Sequence, residues 1–317
     1  IPAVKSLKAI GLSTFIDQAT RMGITSWTDP SRYGLSLTLG GGEVRMIDLA
    51  QAFAVIANQG VKVPLTPILK VETYTGDILE QVNVEDRLRD LETLTTYDEE
   101  SSEGELQRVM DRAPAYLTAH IMQDNRARQA AFGTRSQLVI PDQVVSAKTG
   151  TTNDLKDNWT VGFTPEFLTI TWVGNNDGKS MNQSLVSGIT GAAPIWNDIM
   201  SYILQGREPV LPSKPDDVTG GQVCASGMPP QAGQSCPAQG DELYWTASNP
   251  SASRIDQRDT WIKPETGLPP AFGEQVDGLV LENRTFYSDP VTEDYCANCS
   301  RPVTETGDVI YEEEVVE

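Results

Sequence analysis

With 317 residues, 39% of them hydrophobic, the chain is long enough for a sizeable core and for two domains. Its 44 acidic residues outnumber 24 basic ones, and the formal net charge of -20 argues against a nucleic-acid surface and against electrostatic docking on anionic lipid. It holds no run of 18 apolar residues and no charged-then-apolar leader, so neither a membrane span nor a targeting segment is expected within it.

In chain order, helices come first. Pro2 in a first turn, Val4 and Leu7 on one side and Gly11 at the stop predict a short helix; Ser13 or Thr14 caps a second that ends at Gly23. Gly40-Gly41-Gly42 lacks the GK[ST] ending of a phosphate loop and reads as a tight connection into the next helix. That helix carries Ile47, Leu49, Ala50, Phe53, Ala54 and Ile56, is closed by Gly60, and is expected to be buried on most sides. Ile68 to Tyr74, a Thr75-Gly76-Asp77 turn and Ile78-Leu79 predict a hairpin. Residues 83–111 have few large apolar side chains and centre on the acidic run from Asp98 to Glu105, the pattern of a solvated insertion rather than a docking element.

A helix is predicted over 114–126. It holds the single histidine, His120, which lies between apolar residues with no Ser or Cys arrangement pointing to it and reads as structural. Three strands follow: Val144 to Ala147 running into Lys148-Thr149-Gly150, then 158–164, a Thr164-Pro165-Glu166 turn, and 167–174. Trp159 and Trp172 are expected to pack around this sheet. A last amphipathic helix spans 194–205, with Ile195, Ile199, Met200 and Ile203 on its apolar side.

One stretch carries chemistry. Lys148-Thr149-Gly150-Thr151-Thr152 places a lysine, hydroxyls and a bare backbone at the end of a strand. Such an edge can pair with an extended peptide through main-chain hydrogen bonds while the lysine and hydroxyls hold a carboxylate. Three residues match by chance often, and it is the flanking strands that give the motif weight.

The runs Ser146 to Asp154, Asp157-Asn158-Trp159, Gly162 to Pro165 and Trp172 to Asn175 resemble the transpeptidase domain of the class A, bifunctional penicillin-binding proteins. Leu39 to Val44, continuing through Asp48 to Phe53 and Ala57 to Gly60, is similar to a second stretch of that family, and Gly191 to Trp196 to a third. These runs keep the family order, and the resemblance covers residues 1 to 205. It implies that Lys148 sets a positive field and assists proton movement, and that Thr149 and Thr151 bind the substrate carboxylate through their hydroxyls. It further implies that the Thr151 N–H is an oxyanion donor, that Thr152 adds a substrate contact, and that Gly150 stays small because the substrate backbone passes over it.

Two further family motifs are missing. No lysine has a serine three places before it, and the one Ser-x-Asn, Ser180-Met181-Asn182, follows Lys-Thr-Gly instead of preceding it. In the family a run like Ile1-Pro2-Ala3-Val4 directly follows Ser-x-Asn, so the chain is expected to be a piece cut just after that motif. The nucleophilic serine and its partners then fall on no residue here, and the chain alone is expected to be inactive.

From Glu208 the composition shifts to Pro, Gly, Ser and Asp, giving a linker over 206–218 and a cysteine-containing extension over 219–317. Four cysteines, Cys224, Cys236, Cys296 and Cys299, permit three connectivities. Structural disulfides are the plain reading, and Cys224 to Cys236 closes a short Pro/Gly loop of the kind the family has at this place. Zinc competes through Cys296-Ala297-Asn298-Cys299, although Cys224 and Cys236 are too widely spaced for a second knuckle. A thioredoxin-like role would need a strand-helix frame around that CxxC, and none surrounds it.

The fold expected is therefore α/β: the penicillin-binding, β-lactamase-like transpeptidase fold, an antiparallel sheet of about five strands flanked by helices and incomplete on its N-terminal side, followed by a small irregular or β-rich module. The function the resemblance implies is a serine D,D-transpeptidase of peptidoglycan synthesis, with a glycosyltransferase in the same parent. Its partners would be stem peptides, β-lactams and the cell-wall synthesis machinery, outside the cytoplasmic membrane, with a membrane anchor only upstream and no nucleic acid. No cofactor and no metal are expected. Two alternatives stand beside it: a non-catalytic binding or scaffold protein on the same fold, and a class A β-lactamase relative. The tail after Gln205 and the Leu39 to Gly60 run argue against the second.

Overall fold

Pro2 opens α1 (Pro2–Ile10), which buries Leu7. Gly11 then takes φ 89°, a left-handed turn that glycine adopts without strain, and α2 (Leu12–Met22) begins at once. The N-cap is thus Gly11, with no side-chain cap, and the expected caps Ser13 and Thr14 fall inside the first turn because one residue suffices to connect the two helices. The helix closes as expected at Gly23, where the Gly23 N–H reaches Thr20 O and the Ile24 N–H reaches Ala19 O. Phe15 of α2 stacks on Trp27, and Tyr33 lies tilted against Trp27, around buried Leu7, Ile16 and Leu37.

The triple glycine is a tight connection. A Cβ on Gly42 would stand 2.3 Å from Leu37 Cδ1 and 2.8 Å from Trp27 Nε1. It leads into α3 (Met46–Ala57), which is less buried than its composition suggests: Asp48, Gln51, Ala52 and Val55 face inward, while Met46 and Ile47 are exposed. Polar chemistry sets that rotation. Asp48 accepts from the Thr25 N–H at 3.0 Å, the Thr25 hydroxyl at 2.6 Å and Arg45 Nη2 at 2.7 Å, which draws the carboxylate in and turns Ile47 out.

Burial alone would raise the Asp48 carboxyl, but the hydrogen bonds from Arg45 and Thr25 together outweigh it and hold the group below the ordinary aspartate value. A folded pKa below the unfolded one adds stability that is complete above the unfolded pKa, about 3.9, and is lost as pH falls through the folded value. Asp48→Asn is expected to cost about 1.5–3 kcal/mol at neutral pH and to flatten the acid limb of stability, checked by urea unfolding from pH 7 down to 3.

After α3, Gly60 takes φ 93°, and a Cβ there would lie 2.0 Å from Met110 O. That contact aligns β1 (Val61–Lys62), and the hairpin of β2 (Lys70–Glu72) and β3 (Ile78–Gln81) follows, turning as expected around Gly76. β4 (Gln107–Arg108) pairs antiparallel with β1. Arg108 is buried, donating to Gln59 O at 2.8 Å, Met110 O at 3.2 Å and Leu94 O at 2.8 Å. The end of the segment read as a solvated insertion is therefore core, because a buried guanidinium there finds backbone carbonyls for its donors. The acidic centre of that insertion, Asp98 to Glu105, lies outside the described residues.

The computed structural model describes residues 2–86, 94, 106–152, 154–182, 190–224, 238–247, 255–264, 266–270, 277–287, 295–296 and 299. By its contacts the chain forms two compact units, Ile1–Val218 and Thr219–Glu317.

In the first unit, the helix predicted over 114–126 is two helices. α4 (Arg112–Gln123) starts earlier because Pro114 is tolerated in a first turn, and Asp124 caps α5 (Asn125–Phe132) by accepting from the N–H groups of Arg126 and Ala127. Next come β5 (Ser146–Thr151), β6 (Asp157–Phe163) and β7 (Leu168–Gly174), consecutive antiparallel strands in the order β5-β6-β7. Among the described residues the sheet has these three strands, not about five, since β1–β4 and β2–β3 pair separately. Trp159 and Trp172 face each other across β6 and β7, as expected, with ring centres 6.2 Å apart.

α6 (Ala192–Leu204) covers one face of the sheet. Its buried side is Ala192, Ala193, Trp196, Met200 and Leu204; of the face expected from periodicity, Met200 is buried while Ile195 and Ile199 are exposed. Gly162 is the reason. It leaves the sheet bare where the Trp196 ring lies, and the indole fixes the rotation of the helix.

The second unit is β-rich, with β8 (Val218–Cys224) paired to β9 (Ala238–Trp245) and a three-stranded sheet of β10 (Ile255–Ile262), β11 (Val280–Tyr287) and β12 (Tyr295–Cys296). The stretch read as a linker ends inside β8, at buried Val218. Cys296 and Cys299 are joined by a disulfide. The pairing of Cys224 with Cys236 lies outside the described residues. Among the described residues no three His, Cys, Asp or Glu side chains cluster as metal ligands, and no helix is long and apolar enough to cross a membrane.

Candidate active site

β5 is the outer strand of its sheet, hydrogen-bonded along one edge to β6; among the described residues its other edge pairs with no strand. Val145, Ser146 and Ala147 are buried and fix its start, with the Ser146 hydroxyl donating to Ala119 O of α4 at 2.8 Å. The strand then emerges: Lys148, Gly150 and Thr151 are exposed and Thr149 is half-buried. Since side chains alternate, Lys148 and Gly150 share one face and Thr149 and Thr151 the other.

Lys148 donates from Nζ to Thr149 O at 2.6 Å. Although the side chain reaches solvent, the protein around its ammonium, and secondly the Arg128 guanidinium on α5, lower its pKa from the ordinary lysine value. Arg128 is itself pushed down by burial, against the pull of Asp124.

Gly150 faces Trp159 across the ladder. Its φ is not left-handed, and a Cβ there would meet only Trp159 Cβ, at 3.7 Å, an ordinary contact. Among the described residues nothing demands a glycine at this place. Gly150→Ala is expected to leave thermal stability within about 1 kcal/mol.

Thr151 pairs with Asn158 and accepts from its Nδ2 at 2.9 Å. Thr152 turns the chain: its hydroxyl oxygen accepts from the N–H groups of Lys156 and Asp157, both at 3.0 Å. That structural duty was not visible in the motif. The five residues 148–152 are contiguous at one strand end, and the cysteines belong to the other unit. The His120 ring lies tilted against Tyr116, with ring centres 5.9 Å apart. Ser180-Met181-Asn182 is held against the β5–β6 turn by the Met181 N–H to Leu155 O. Sequence reasoning missed two residues, Arg128 and Asn158; the signal available for the second was a carboxamide within a predicted strand.

Residues 5–201 match the family model for the penicillin-binding protein transpeptidase domain, and the chain belongs to that family. Its relatives are class A proteins. Penicillin-binding protein 1A of Neisseria lactamica is 31% identical over 223 residues, 69% of this chain and 25% of that protein. The protein of the same name from Aquifex aeolicus (strain VF5) is 30% identical over 201 residues, 63% of this chain and 24% of its own. The chain thus spans about a quarter of the length of these relatives. Among solved structures, the crystal structure of Penicillin-Binding Protein 1A from Haemophilus influenzae matches with a TM-score of 0.62 over 78% of this chain and 38% of that one, at 20% identity, a likeness of fold.

Proposed function

We propose that this chain supplies the Lys-Thr-Gly wall of a serine D,D-transpeptidase that cross-links peptidoglycan outside the cytoplasmic membrane, within a parent that also polymerises glycan. The observation that carries this reading is the edge of β5 that, among the described residues, pairs with no strand and along which Lys148, Thr149, a bare Gly150 and Thr151 follow one another. An extended D-Ala-D-Ala stem peptide would add to that edge, its carboxylate held by the hydroxyls of Thr149 and Thr151 in the field of Lys148, with Thr152 beside them.

A serine upstream of these residues attacks the D-Ala-D-Ala carbonyl; the amide C–N bond breaks, the serine proton passes to the leaving nitrogen and D-alanine departs. The Thr151 N–H stabilises the oxyanion, a contribution of about 3 kcal/mol for one donor. An amine from a second stem peptide then attacks the ester, gives up a proton to the serine oxygen and forms the cross-link. A β-lactam follows the first step, but its ring opens with no group leaving, and the acyl-enzyme persists.

The test is labelling by a fluorescent penicillin. The full-length protein is expected to be labelled on a serine outside these 317 residues, and the isolated chain to stay unlabelled. Specific labelling of the isolated chain, or none of the full-length protein, overturns the assignment, the latter in favour of a binding or scaffold protein that retains the fold.

A further inference from the structure

Asn158 is fully buried, between the sheet and the first turn of α6. Its Oδ1 accepts from the Ala192 N–H at 2.6 Å, and its Nδ2 donates to Thr151 Oγ1 at 2.9 Å. The space for this reach comes from Gly191, where a Cβ would stand 2.4 Å from Oδ1. On the other side of the same turn, the Thr171 hydroxyl donates to Ala192 O at 2.9 Å, so the start of α6 is fastened to the sheet twice.

The polarity of this chain of bonds is forced. A backbone N–H can only donate, so the end of the carboxamide beside Ala192 has to be oxygen. The other end is then NH2, and Thr151 Oγ1 has to receive. A hydroxyl that receives along a lone pair still has one proton to give, and that proton cannot be given back to the donor it faces. The exposed Thr151 is thereby left as a donor toward whatever lies on β5.

We infer that Asn158 is a positioning residue for the proposed acyl transfer: it locks the Thr151 hydroxyl as a hydrogen-bond donor to the carboxylate of the acyl donor and ties it to the start of α6. This rests on the transpeptidase reading. Asn158, fully buried, acts through Thr151. Without it, the hydroxyl is free among three staggered rotamers, a loss of about threefold, rising to about tenfold if it turns back to donate within the protein.

The experiment is a double-mutant cycle in the full-length protein, reading the second-order rate of penicillin acylation and the thermal midpoint of each variant. Asn158→Ala and Thr151→Val should each slow acylation by about three- to tenfold, and together no more than the slower of the two, because both remove one oriented proton. Asn158→Asp keeps the acceptor for Ala192 but offers Thr151 a second acceptor, turning its proton inward. It should stay folded and lose acylation at least as far as Asn158→Ala, which keeps the test open if the alanine variant unfolds. Multiplying single effects, or wild-type acylation by Asn158→Asp, overturns the role of Asn158 alone. A wild-type protein that is not acylated overturns the transpeptidase reading, and this role with it.

Discussion

Lys148→Ala in the full-length protein is expected to lower the rate of penicillin acylation by at least about 10²-fold while leaving the melting temperature unchanged within error. The second half follows from exposure: Lys148 stands on the open strand, and its one hydrogen bond is to the neighbouring carbonyl of Thr149. The first half follows from charge. An ammonium surrounded by protein acts on an anionic ligand with less screening than one in water. The same surroundings lower its pKa, desolvation first and Arg128 second, so the cation is lost on the alkaline side sooner than for a free lysine. Arg128→Gln removes the second cause, and the alkaline limb of acylation should move to higher pH, though not as far as an ordinary lysine, because desolvation remains. A limb that stays in place, measured by stopped-flow acylation between pH 7 and 11, would show that Lys148 does not set it.

Gly162→Ala is the substitution expected to damage the fold most. The new methyl would lie 2.2 Å from Trp196 Cζ2, 2.7 Å from Cε2 and 3.0 Å from Ser146 O. The ring cannot retreat, since Trp196 is fully buried in a cluster with Leu138, Ile140, Val145, Ala147, Met200 and Leu204. Overpacking of this kind costs about 3 kcal/mol or more, which for a domain of this size lowers the melting temperature by about 6 °C or more. Trp196→Ala, which empties the same space, should cost about 3–5 kcal/mol. Combining Gly162→Ala with Trp196→Leu should recover part of the loss, since the smaller side chain makes room for the methyl. Additive losses in that pair would mean that the two residues do not share the space.

The local elements of the site were legible in the order of residues alone. β5, β6 and β7 fall within two residues of their predicted bounds, because alternating β-branched and aromatic residues between turn formers leave the backbone little choice. Lys148 to Thr152 were legible as a unit for the same reason: adjacent residues on one strand need no long-range contact to come together. Gly11, Gly23, Gly60 and Gly76 marked turns through their own backbone freedom.

What those elements face came from long-range packing. The α6 pattern offered Ile195 and Ile199 as core, yet a void above Gly162, created by another strand, gave that place to Trp196. Arg108 read as part of an acidic, solvated stretch, but carbonyls from Gln59, Leu94 and Met110 made burial affordable. Asn158 acquired its place at the site from Ala192, 34 residues away, whose N–H fixes the amide and through it the Thr151 hydroxyl. Periodicity reports which residues share a side of one element. Which side is buried, and which way a buried hydrogen bond points, depends on partners distant in the chain, and these meet only when the sheet and its covering helix have packed.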